Sequence, residues 1–227
     1  MCGRYTLTAP GEVVAELFEL VDVPPILPRY NLAPTQEAAV VRVAAPGAPR
    51  TLAALRWGLI PYWAQDPKIG NRLINARAES LVDKPAFRDS FARKRCLVPA
   101  DGFYEWKKLD AKVKQPYLIH RQDRRPFAFA GLWSSWRSPD AGRVETFTII
   151  TTAPNGLMRP LHDRMPAILD PKDFAAWLDP ANRNTAVLQT LLAPAPEAGW
   201  QATPVSRAVN HADHDAPDCI EPLVAGA

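Results

Sequence analysis

Twenty-four of the 227 residues are proline. Each one fixes φ and removes a backbone donor, so long uninterrupted helices are excluded and short strands joined by defined turns are expected. Apolar periodicity accordingly predicts only short helices, over 11–20, 76–83, 85–94, 171–178 and 183–192. In the first of these, Val13, Val14, Leu17 and Phe18 form one stripe. Runs rich in β-branched and aromatic residues predict strands over 3–7, 38–43, 52–57, 96–98, 102–108, 117–121, 127–135, 144–152 and 166–169. Residues 44–50 and 192–199, dense in Pro, Gly and Ala, read as loops. Strands and helices do not alternate one for one, which disfavours a doubly wound parallel sheet. The expectation is an α+β fold, one domain over 1–227, with a curved, largely antiparallel, barrel-like sheet flanked by short helices.

With 47% hydrophobic and 22% charged residues, the chain is outside the ranges of disordered, collagenous and coiled-coil sequences. No segment approaches the ~18–20 apolar residues of a membrane span, and MCGRYTLTAPGE lacks the basic and apolar regions of a secretory leader. A cytoplasmic protein is therefore expected. Its three cysteines, Cys2, Cys96 and Cys219, are an odd number without a CxxC pair, which argues against a disulfide framework and fits a reducing compartment.

Net charge is only +3, but between Lys68 and Arg95 eight basic residues face three acidic ones. Such a run is either a solvated face or the footprint of a nucleic-acid site. Directly before it, RWGLIPYWAQDP carries Trp57, Tyr62 and Trp63. Trp57, on a strand, is assigned to the core. Tyr62 and Trp63, after a proline in a turn, are suited to stacking on single-stranded bases.

Cys2 is the most consequential residue for chemistry. Removal of Met1 would leave an N-terminal cysteine, a 1,2-aminothiol whose amine and thiol both titrate near neutrality, at ~7.7–8 and ~8.5. The thiol can attack an acyl group, or the amine can condense with an aldehyde to a Schiff base on which the thiol closes a thiazolidine ring. The alternative is a small buried residue beside the first strand. In LINARAES, Asn75 is either a helix N-cap or a polar ligand, and Arg77 in a first helical turn would point its donor fork at phosphate. Glu105, in ADGFYEWKK, either faces inward with Phe103, where desolvation raises its pKa and suits it to proton transfer, or faces outward as a surface acid. His162, in the turn LHDRMP, has the pKa best suited to proton shuttling. His211, His214 and Cys219 in HADHDAPDC form an HxxHx4C pattern that matches no standard zinc spacing, so no metal or other cofactor is expected.

Taken in order, MCGRYT, RYNLAPTQ, RWGLIPYWA, INARAES, ADGFYEWK, FAGLW, TTAPN, LHDRMPAIL and PVSRAVN span nearly the whole chain. Together they resemble the SOS response-associated peptidase (SRAP) family, with its YedK-type bacterial and HMCES-type eukaryotic members. The resemblance implies a monomer that holds single-stranded DNA in a basic groove and crosslinks abasic sites through the N-terminal cysteine. It implies Cys2 as nucleophile, Asn75 holding the adduct, Glu105 and His162 as the acid/base pair, and Arg4, Arg77 and Arg164 on phosphates. It also implies association with the nucleoid when bound to DNA, and a peptidase activity best understood as removal of the residue before Cys2. The loop after Val209 departs from the pattern, with Asn210-His211 where a second Asn or similar small polar residue is expected. The rival readings are a thiol peptidase with Cys2 as nucleophile and His162 or Glu105 as base, and a single-strand binding module with an inert Cys2.

Overall fold

A computed structural model describes residues 2–23, 25–110, 113–138 and 142–223. Its longest helix has nine residues, as the proline content requires. Strands β1 (Tyr5–Leu7), β2 (Arg29–Leu32), β3 (Glu37–Val43), β4 (Arg50–Trp57), β5 (Asn75–Arg77), β6 (Arg95–Ala100), β7 (Gly102–Lys108), β8 (Lys114–Arg121), β9 (Phe127–Ser138), β10 (Gly142–Thr152), β11 (Met165–Pro166), β12 (Ile168–Leu169) and β13 (Trp200–Pro204) carry the architecture. Helices α1 (Gly11–Phe18), α2 (Pro85–Arg93), α3 (Phe174–Leu178) and α4 (Thr185–Thr190) flank it.

Five strands close on themselves. β10 pairs with β4, β4 with β3, β3 with β6, β6 with β9, and β9 back to β10. Closure gives each of these strands a partner on both sides over part of its length, which limits the edge left open in a sequence rich in β-formers. All pairings in the ring are antiparallel except β4 with β10. A second antiparallel sheet, in the order β13-β8-β7-β1-β2, packs on the barrel. Rings join the two: Tyr5 of β1 meets Trp57 of β4 at 5.3 Å and Phe129 of β9 at 5.8 Å, and Phe103 of β7 meets Phe129 at 5.8 Å. Edge-to-face pairs of this kind add about 0.5–1.5 kcal/mol each beyond their buried area. Trp57 is fully buried, as its strand position predicted.

One predicted helix is replaced. Residues 76–83 do not form an α-helix; Asn75–Arg77 is strand β5, parallel to β10 with Ile149 opposite Asn75 and Thr151 opposite Arg77, and a single 3₁₀ turn follows at Ala78–Ser80. The cause is tertiary. β4 leaves the edge of β10 after Trp57, and the chain returns at Asn75 to fill the edge that β4 vacated. A ladder slot with Ala76 wholly buried outweighs the local helix preference of ARAES. The excursion closes where Gly58 (φ 126°) and Gly70 touch: a Cβ on Gly58 would lie 2.7 Å from the Gly70 carbonyl oxygen. Only glycine accepts that φ and that contact together.

Other predicted elements stand with shifted ends. Residues 171–178 divide into a 3₁₀ turn, Pro171–Asp173, and α3, and the helix predicted over 183–192 shortens to α4. Strands β2 and β13 were not predicted. Among the described residues, no helix is long and apolar enough to cross a membrane.

Candidate active site and nucleic-acid groove

Cys2 lies just ahead of β1, its side chain fully buried. Asn75 Nδ2 donates to the Cys2 carbonyl oxygen at 2.8 Å. Sequence reasoning left Asn75 as helix cap or ligand; its place on β5 removes the first possibility. Its other amide atom, Oδ1, is buried and accepts no hydrogen bond among the described residues. That leaves an acceptor available beside Cys2, an arrangement with a desolvation cost that a ligand can relieve.

The orientation of Glu105 follows from β7. Phe103 faces the barrel core, while Tyr104 faces a second cluster with Leu118, Val205, Val209 and Cys219. Alternation therefore turns Glu105 inward with Phe103, and only 3% of it is exposed. Tyr104 N–H donates to Arg4 O at 3.0 Å, so Glu105 lies alongside the residues that precede Arg4. Burial pushes its carboxyl up to about 7. Burial also raises the Cys2 thiol far above its ordinary value, and the neighbouring Glu105 charge raises it further. At neutral pH the resting thiol holds its proton, and Glu105 is poised to give or take one.

His162 is half-buried, and burial lowers its pKa. Arg164 N–H donates to its Nδ1 at 3.0 Å, and Asp163 Oδ1 lies 2.8 Å from the same nitrogen. Nδ1 thus faces both a donor, the Arg164 N–H, and an acceptor, the Asp163 carboxylate, and the tautomer of the neutral ring follows whichever of the two contacts it keeps. The Asp163 contact becomes an ion pair when the ring is protonated. Asp163 also raises the Glu105 pKa, which places the His162 turn beside the same site.

A groove of about 510 Å³ runs past Asn75, lined also by Trp63, Leu73, Arg77, Ser80 and Lys84. Trp63 (47% exposed) and Tyr62 (58% exposed) stand out from the turn after Pro61. Trp63 also borders a depression with Lys68 and Arg72, and Tyr62 one with Arg93 and Lys94. Six of the eight basic residues of the run thus line depressions that the two exposed rings border, and Arg88 lines none of these. Arg95 is buried, donating to the backbone carbonyls of Phe91, Trp177, Asp179 and Asn182. Lys84 was not singled out from the sequence, although it belongs to the basic run.

Three arginines differ from the sequence expectation in setting. Arg77 stands at the end of a strand and the start of a 3₁₀ turn, without the helical turn predicted for it. The Arg4 fork donates to Asn31 Oδ1 at 3.0 Å and Val209 O at 2.7 Å. Arg164 grips Glu79 with two bonds of 2.7 and 2.8 Å and donates to Thr151 O at 2.6 Å. Arg77 lines the groove, whereas the forks of Arg4 and Arg164 are engaged within the protein.

These features define a class: a mixed α/β protein built on a closed five-stranded barrel, with a buried cysteine at position 2 held by an asparagine that lines a groove with basic and aromatic side chains. The chain belongs to the SOS response associated peptidase (SRAP) family, whose model matches residues 1–212. It is 45% identical over 224 residues to the abasic site processing protein YoqW of Bacillus subtilis (strain 168), covering 97% of this chain and 99% of that one. It is 33% identical over 226 residues to the abasic site processing protein HMCES of Xenopus tropicalis, covering 87% of this chain and 67% of that one. A crystal structure of a protein from Bacteroides thetaiotaomicron superposes with a TM-score of 0.87 at 26% identity, covering 98% of this chain and all of that one.

Proposed function

We propose that this protein captures abasic sites in single-stranded DNA as a covalent thiazolidine on Cys2, after removal of Met1, and so shields the lesion. The observation that carries the reading is the junction at Asn75: one side chain both holds the Cys2 backbone and lines the groove that Trp63, Arg77 and Lys84 share. Single-stranded DNA asks for that combination of cations and stacking rings. The names of the relatives, abasic site processing proteins, agree with it.

The steps balance with the residues present. The open-chain abasic sugar offers an aldehyde, and the Cys2 amine adds to its carbon to form a carbinolamine. Glu105, protonated for a substantial part of the time near neutral pH, gives its proton to the departing hydroxyl, and water leaves an iminium ion. The carboxylate so formed takes the Cys2 thiol proton. The sulfur then bonds to the iminium carbon, whose C=N π electrons return to nitrogen, closing the ring. One aldehyde and one aminothiol give one thiazolidine and one water. An imine left open is the electron sink for β-elimination and strand cleavage, and ring closure removes that sink. Asn75 Oδ1 is the acceptor for a sugar hydroxyl or the ring N–H, and His162 moves a proton in sugar ring opening or later reversal.

A peptidase reading has less support. A thiol nucleophile for peptides is activated by a depressed pKa, whereas burial drives the Cys2 thiol the opposite way. Removal of Met1 from its own chain remains compatible with the site.

Intact mass spectrometry tests the reading. The protein is incubated with a single-stranded oligonucleotide carrying one abasic site, and with the same oligonucleotide after reduction of the aldehyde. The expected result is a starting mass lacking Met1 and an adduct of protein plus oligonucleotide less one water, absent with the reduced strand and in Cys2→Ala. Protein that begins at Cys2 and forms no adduct would overturn it.

A further inference from the structure

The segment from Arg207 to Leu223 folds over the face of the second sheet that points away from the barrel. Val209 and Cys219 pack there with Tyr104 and Leu118. Asn31, fully buried on β2, clamps the segment by donating from Nδ2 to the carbonyls of Val209, His211 and His214 at 3.2, 2.9 and 2.8 Å. Asp215 pins its middle to the backbone N–H groups of Tyr30 and Asn31 and to the Arg29 side chain. Two of the four histidines and one of the three cysteines in the chain lie in this stretch.

Within it, His214 Nε2 is 2.7 and 2.9 Å from the two carboxylate oxygens of Asp218. The donor atoms of His214, Asp218 and Cys219 all lie within 4.8 Å of one another. An ion pair across four residues accounts for the first two groups. It does not account for a sulfur at the third corner, whose hydrogen-bond partner is the His214 carbonyl at 3.5 Å. A shallow, solvent-open depression of about 360 Å³, lined by Ala208, His211, Asp213, His214 and Asp218, borders the same histidine and carboxylate.

We propose that His214, Asp218 and Cys219 bind one divalent transition-metal ion of the zinc type. Imidazole nitrogen, carboxylate oxygen and thiolate sulfur are the ligands Zn²⁺ takes, at about 2.0–2.3 Å. Tetrahedral ligands at those lengths stand about 3.4 Å apart, so small side-chain rotations bring the three donors to the ion. The depression opens the fourth position to water. The HxxHx4C pattern fails as a zinc spacing because the set in space is His214 with the adjacent pair Asp218-Cys219, and His211 stands at the margin. Binding exchanges the thiol proton for a metal–sulfur bond, releasing one proton per ion. The ion would tie His214 to the 3₁₀ turn Pro217–Cys219. It would thereby brace the segment whose Val209 carbonyl accepts from Arg4, two residues from Cys2.

Cobalt(II) titration tests the site directly, since a cobalt–thiolate bond gives a charge-transfer band in the near ultraviolet. An N-terminal aminothiol also binds metals, so the titration is run on Cys2→Ala. The expected result is a band that saturates at one equivalent, is displaced by Zn²⁺, and is lost or weakened at least tenfold in affinity by His214→Ala or Cys219→Ser in that background. His214 is partly exposed, so His214→Ala decides the matter even if the buried Cys219→Ser fails to fold. No band at millimolar Co²⁺, or a band indifferent to His214→Ala, would overturn the proposal.

Discussion

Glu105 carries a stability cost with a definite pH signature. Its carboxyl is 3% exposed and titrates at about 7 where an ordinary glutamate titrates at 4.5. Below about pH 4.5 both folded and unfolded chains hold the proton, and the residue costs nothing. Between about 4.5 and 7 the unfolded chain ionises first, so stability falls as pH rises. Above about 7 the loss is complete. At 1.36 kcal/mol per pKa unit, that displacement amounts to about 3 kcal/mol. Glu105→Gln stays neutral at every pH. It should therefore match the wild-type protein near pH 4 and exceed it by about 2–3 kcal/mol at pH 8, while losing the proton transfer that ring closure needs. Urea unfolding of both proteins at pH 4, 6 and 8, paired with adduct yield at pH 7.5, measures the two effects together. A stability difference that does not change with pH would refute the assignment of a raised, desolvated carboxyl. So would an undiminished rate of adduct formation in the variant refute its role in proton transfer.

Three further outcomes follow from the geometry. Glu79 occupies both prongs of the Arg164 fork, so Glu79→Gln releases a cation toward DNA; binding of single-stranded DNA should tighten, and the slope of log K against log salt should steepen by about 0.7, while weaker binding with an unchanged slope would make the pair purely structural. Trp63→Ala removes an exposed ring from the groove and should cost about 1–3 kcal/mol of single-strand affinity by fluorescence anisotropy, with unfolding unaffected; unchanged affinity would remove Trp63 from the interface. Gly58→Ala forces a side chain against the Gly70 carbonyl at a φ that only glycine accepts, and should cost about 1–3 kcal/mol in urea unfolding; a neutral result would show that the 58–74 excursion tolerates displacement.

Much of this was legible in the chain because local signals agreed with tertiary demand. The nine predicted strands follow alternation and β-branched content, and all nine positions are extended in the structure. Trp57 was assignable to the core and Tyr62 and Trp63 to the surface from strand and turn context alone. The misses share one physical origin, since each was decided by a partner distant in sequence. β5 is a strand because β10 offers it an open edge, and nothing within LINARAES encodes that edge. β13, WQATP, gains its ladder from β8 and lacks a strong alternation of its own. The forks of Arg4 and Arg164 met Val209 and Glu79, 205 and 85 residues away. Alternation could pose the choice of facing for Glu105, but only the core around Phe103 settled it. The cluster at His214 was hidden because spacing rules weigh the histidine–cysteine pattern and pass over the aspartate beside the cysteine.

The claim at the centre of this account is that the amine and the thiol of Cys2 are both consumed in one ring. Imine and thiazolidine adducts have the same mass, but only the imine takes up two hydrogens from borohydride and leaves the sulfur free for alkylation. The measurement is therefore the mass of the wild-type adduct after borohydride and then iodoacetamide under denaturing conditions, beside Cys2→Ser. The account predicts a wild-type adduct unchanged by borohydride with no alkylation at Cys2, and a Cys2→Ser adduct that survives only when reduced. A wild-type adduct that gains two hydrogens and an alkyl group on Cys2, or a stable unreduced adduct in Cys2→Ser, would contradict it.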